Sequence, residues 1–118
     1  MRGFPRVLGQ AKAIAAGVTI YRVPSPPSDI YAGPSVASGL ITSLVICNKS
    51  GSVRNLYVHV LQEGEATSTA NLVMSGYAVP ANTTRVVDCG FTLGPEESVN
   101  VVDFTGNLLV SVFGIEVQ

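Results

Sequence analysis

Leu56, Val58 and Val60 alternate with Asn55, Tyr57 and His59. This period of two turns successive side chains to opposite faces of a strand, with the aliphatic set on a core and the polar set outside. Just upstream, residues 40–47 (LITSLVIC) are apolar at nearly every position, which predicts a central strand buried on both faces. The five residues between them, 48–52 (NKSGS), make a turn and the pair a hairpin. Elsewhere, β-branched and aromatic runs predict strands at residues 17–23, stopped by Pro24, and at 72–79, interrupted by Gly76. Further strands are predicted at 83–89, ended by Gly90, and at 98–104 and 107–117. Proline- and glycine-rich segments at 25–34, 80–82 and 94–97 read as a loop and two turns, and the polar stretch 62–71 as another loop. No segment holds a helical period, and no internal repeat is evident. The expected fold is all-β: an antiparallel β-sandwich or jelly roll of seven or eight strands, whose strand order the spacing does not give.

The first 16 residues lack a clean period of two, and Ala11 to Ala16 are too few for an independent helix. The expected organisation is an extended N-terminal arm at 1–16 and a β-sandwich domain at 17–118. Charge supports that division. Arg2, Arg6, Lys12 and Arg22 precede every acid, whereas the remainder sets Lys49, Arg54 and Arg85 against eight carboxylates, a net of −5. Four spaced cations are too few for a phosphate backbone, and the acidic body repels one, so no direct nucleic-acid contact is expected. An arm reaching for an acidic protein surface fits better, with Arg2, Phe4, Arg6, Val7, Leu8 and Lys12 as its contacts. The low charged fraction, 13%, against 47% hydrophobic residues and a mean hydropathy of +0.39 suit a surface covered by other protein. No apolar run approaches the ~20 residues of a membrane-spanning helix, and the broken N-terminal segment lacks a secretory core; synthesis in a cytoplasm is expected. In that setting Cys47 and Cys89, each inside an apolar run, are read as reduced core residues.

The chemistry-bearing residues do not assemble into a catalytic pattern. His59 is the sole histidine, so any triad would centre on it with Ser43, Cys47 or Cys89 as nucleophile. On an outer strand face beside Tyr57, it reads instead as part of a self-association surface. Glu63 with Glu65, and Glu96 with Glu97, lack the ligand pattern of a calcium loop. Tryptophan is absent, which disfavours sugar stacking and glycoside hydrolysis. Gly33-Pro34-Ser35 lacks the lysine of a phosphate loop. No catalytic residue, cofactor or metal is expected, and the chain is read as a non-enzyme.

Longer motifs carry a resemblance. Leu8-Gly9-Gln10, Tyr21-Arg22-Val23-Pro24 and the run from Ile41 through Cys47-Asn48-Lys49-Ser50-Gly51 resemble small tailed-bacteriophage virion proteins with the pattern LGQ…LYxVP…VxSxVVCNxSG. Val79-Pro80-Ala81-Asn82-Thr83-Thr84, Leu93 to Val99 and Val112-Phe113-Gly114-Ile115-Glu116 are similar to that family's IPANxT, LxxGDxV and VFGxE segments. Glu97 stands where aspartate is usual, and the loop from Pro24 to Pro34 is longer and richer in proline. The resemblance implies the fold and a virion setting more than a station in the particle; the leading expectation is a protein, made in the host cytoplasm, that decorates and cements a capsid. Its arm would bind the major capsid protein, and apolar outer strand faces would build a homotrimer. A tail, neck or baseplate adaptor is the alternative, and a carbohydrate-binding module a distant one.

Overall fold

The structure is a computed structural model that describes residues 6–24 and 38–117. The proline-rich loop expected at 25–34 lies outside these residues, as do Arg2 and Phe4. The strands are β1 (Arg6–Lys12), β2 (Val18–Arg22), β3 (Ser38–Asn48), β4 (Arg54–Leu61), β5 (Leu72–Val79), β6 (Thr83–Leu93), β7 (Ser98–Val102) and β8 (Leu108–Val117). They form two four-stranded sheets: sheet I in the order β1-β8-β3-β6, and sheet II in the order β2-β7-β4-β5. All the pairings are antiparallel. Of the steps between consecutive strands, only β4 to β5 stays within one sheet. Two four-stranded sheets interleaved in this order are the eight-stranded jelly roll, the second of the two architectures expected.

The core lies between the sheets. Ile41, Leu44 and Ile46 of β3 and Val110 and Val112 of β8 face Leu56 and Val58 of β4 and Val99 and Val101 of β7, all within 1% of full burial. Each such side chain stabilises the fold by about 1.5–3 kcal/mol relative to exposure.

Four local expectations need correction. First, β3 and β4 are not a hairpin, because the chain passes from sheet I to sheet II between them. The buried Asn48 side chain makes that crossing. Its amide donates to the carbonyls of Ser52 at 2.8 Å, Val79 at 2.9 Å and Pro80 at 3.2 Å, while its oxygen accepts from the Ser50 backbone at 2.9 Å. A polar group buried this deeply has to be satisfied on both ends, and here the partners come from two turns at once.

Second, β6 continues through Gly90 to Leu93. The register slips between Ile41 and Ser43 of the neighbouring strand, which accommodates the glycine as an irregularity rather than an end. Third, β3 is not buried on both faces. Its inner positions are sealed, but its outer ones are only half-buried, so Cys47 belongs to the outer surface and only Cys89 packs against the core. The two thiols are free. Burial, then the charge of Asp88, raises the Cys89 pKa.

Fourth, residues 6–16 are part of the sandwich. β1 pairs with β8 along its length, Leu8 and Ala11 pack against the core, and Ala13 is fully buried with its backbone amide donating to Leu108 at 2.8 Å. Gly9 explains how this edge closes: a Cβ there would fall 1.9 Å from the carbonyl oxygen of Ile20. Only a glycine lets β1 and β2 approach so closely.

Candidate functional site

The outward faces of the two sheets differ in how they are finished. On sheet II, residues 57, 59 and 61 of β4 point away from the core, and the chain covers them itself. His59 is 8% exposed, so it is not the surface residue expected. Its Nδ1 lies 2.8 Å from the Asn71 side-chain oxygen; since that oxygen only accepts, Nδ1 carries the proton. Asn71 is held in turn, accepting from the Ser68 amide at 3.0 Å and donating to the Ala66 carbonyl at 2.9 Å. Ser68 caps the short 3-10 turn Thr69–Asn71, completing a capping box with Asn71. Leu61 and Val102 beside it are 5% exposed, and Ile14 forms a parallel bridge to Val102.

What remains open on sheet II is a groove of about 430 Å³, bordered by Ala16, Tyr57, His59, Ser68, Leu72 and Phe104. Tyr57 is half-buried, and Phe104, 67% exposed, meets its ring edge-on with centroids 5.3 Å apart. The structure thus brings Tyr57 and His59 to one face, but it leaves His59 little surface to offer.

The turn between β7 and β8 is organised by Asp103, 2% exposed. Its carboxylate accepts from the Thr105 hydroxyl and amide, the Asn107 amide and the Leu108 amide, at 2.7 to 3.1 Å. Burial opposes the charge, yet the four hydrogen bonds outweigh it and hold the pKa below the ordinary carboxylate value. This acid is structural.

Among the described residues, sheet I has no comparable cover. Pairing places its outward side chains in rows across β1, β8, β3 and β6. One row is Lys12, Leu109, Cys47 and Thr84; the next is Gln10, Ser111, Val45 and Val86; a third is Val7, Phe113, Ser43 and Asp88. Val86 is 64% exposed, Val7 44% and Leu109 38%. A polar outer face is the usual finish for an antiparallel sheet with one side in water. Here, Lys12 and Asp88 are the only charges in the three rows. A shallow depression of about 460 Å³ lies at the centre, between Gln10, Val45, Cys47, Leu109 and Ser111.

The expected arm contacts are divided by this geometry. Val7 and Lys12 join the outward face of sheet I, and Leu8 joins the core. Arg6 pairs with Glu116, which also accepts from the Tyr21 hydroxyl at 2.7 Å, tying β1, β2 and β8 together at one rim. Burial and that hydrogen bond raise the Tyr21 pKa well above its ordinary value. Sequence reasoning missed Val45, Val86, Leu109 and Phe113 as surface residues. Their signal was present, as apolar residues on both alternating faces of β3, β6 and β8, but it reads equally as double burial.

Among the described residues, no three histidine, cysteine or acidic side chains gather as metal ligands, and no helix is long and apolar enough to cross a membrane. No family model matches the chain, and no curated protein does. Among solved structures, a chain from "Structure of infectious bursal disease virus Gx strain" is similar at 9% identity and a TM-score of 0.42. The alignment takes in 98% of this chain and 30% of that one, so this chain spans under a third of its length. A likeness of that degree carries no argument, and the assignment to the jelly-roll class rests on the strand order alone.

Proposed function

We propose that this protein is a virion structural protein, and specifically a decoration protein that cements an assembled capsid by contact with the major capsid protein. The observation that carries the reading is the outward face of sheet I, an apolar and nearly uncharged sheet surface on a jelly roll whose opposite sheet is partly covered by its own loops. Jelly rolls serve capsids, lectins and enzymes alike, so the surface and not the fold directs the choice. The resemblance of residues 8–10, 41–51 and 112–116 to tailed-phage virion proteins points the same way. A protein that binds only the assembled shell stabilises it by mass action, and many symmetric copies add modest contacts together.

The anchoring role expected of residues 1–16 narrows, because residues 6–16 build the sandwich itself. Cutting at residue 16 removes β1 and exposes β8. The test of the reading is quantitative mass spectrometry of purified particles. Hundreds of copies per particle are expected; about six or twelve would transfer the protein to a tail, neck or baseplate, and none would remove it from the virion.

A further inference from the structure

The strand register fixes where the two charges of the outward face of sheet I stand relative to each other. Lys12 lies on β1 in the row that ends at Thr84 of β6, and Asp88 lies four residues further along β6. Three strand spacings separate them in one direction, about 14 Å, and four residues in the other, also about 14 Å. They occupy opposite corners of a nearly square patch. Val7 and Thr84 occupy the other two.

From this placement we infer that the face binds a second copy of the same chain, related by a two-fold axis lying along the Val7–Thr84 diagonal. In such a pair each Lys12 rests over the partner's Asp88, giving two ion pairs at the rim. The axis along the square's diagonal makes the strands of the two sheets cross at close to a right angle, one of the two ways in which sheets pack. The same operation brings Val86 over the gap between Leu109 and Cys47 of the other copy, at the margin of the depression that these two residues border. Val86 is the most exposed large hydrophobic side chain of the face, at 64%. Thus the projecting side chain and the hollow match under the symmetry that the charges alone define, as a self-complementary interface requires.

This inference rests on the reading of the previous section that the open face is covered by protein in an assembly; it gives that face to a second copy, so contact with the major capsid protein falls to other surfaces of the pair. It names a two-fold pair in place of the expected homotrimer. Sedimentation velocity of the full chain at roughly 100 µM checks it. The expected species is a dimer, which Val86→Glu converts to monomer while the circular dichroism spectrum stays that of a β protein. Lys12→Glu and Asp88→Lys each weaken association about tenfold or more, and the double reversal returns it to within about threefold of the parent. A monomeric or trimeric parent, a dimer that survives Val86→Glu, or a double reversal without recovery would each overturn the proposal. A monomer that is nonetheless abundant in particles overturns the pair and leaves the decoration reading standing.

Discussion

Val45 and Ile46 are neighbours on β3, yet they belong to different economies of the molecule. Ile46 is fully buried between the sheets; Val45 stands half-buried on an outward face that the chain leaves open. The same contrast separates the two sheets. Sheet II has the His59 side of its outward face closed by the turn Thr69–Asn71, by Asn71 bonded to His59, and by the bridge from Ile14 to Val102, leaving only the groove beside Phe104. Among the described residues, no comparable device covers the apolar outward face of sheet I. The lesson is that hydrophobicity in a strand reports burial without saying who does the burying: the chain itself in one case, another molecule in the other.

The comparison can be broken within β3. Ile46→Ala creates a cavity in the core and is expected to cost about 2–5 kcal/mol in urea unfolding. Val45→Ala, one residue away, should cost less than about 1 kcal/mol, because in the free chain the site is already half open to water. Equal losses would mean that the outward face is sealed within the monomer. Asn48→Ala is next in size, at about 2–3 kcal/mol, since it strands the carbonyls of Ser52, Val79 and Pro80 at the crossing between sheets.

His59→Ala sharpens the account of sheet II. It deletes the bond to Asn71, with an expected cost of about 1 kcal/mol, faster amide exchange in residues 66–71, and no change in self-association. The smallest effect is a pH dependence. Asp103 titrates below its unfolded value of 3.8, so its contribution is complete above that value and is lost as pH falls through the lower folded value. Asp103→Asn should flatten this part of the acid unfolding curve and leave stability at neutral pH lower by about 1–2 kcal/mol.

Much of the fold was legible. The period of two at residues 55–60, and the turn residues at 80–82 and 94–97, marked strands and boundaries that the structure retains. β1 was not legible, because its register shifts between Val7 and Gly9 and an irregular strand loses the alternation that announces one. The β3–β4 hairpin failed for a different reason. A five-residue turn looks the same whether it joins neighbours or crosses between sheets, and the deciding interaction, Asn48 with Val79 and Pro80, spans more than thirty residues of sequence. His59 was correctly placed on the outer face of its strand, but its cover comes from Asn71, twelve residues on. The open face of sheet I was visible only as apolarity, which two-sided burial explains as well until the strand order is known.

Hydroxyl-radical footprinting of the chain, free and dilute or within its purified particles, tests the central claim most directly. The account predicts that Val86, Leu109 and Phe113 are labelled in the free chain and protected in the particle, while core residues such as Ile46 stay unlabelled in both. Equal labelling of Val86, Leu109 and Phe113 in the two states would contradict it.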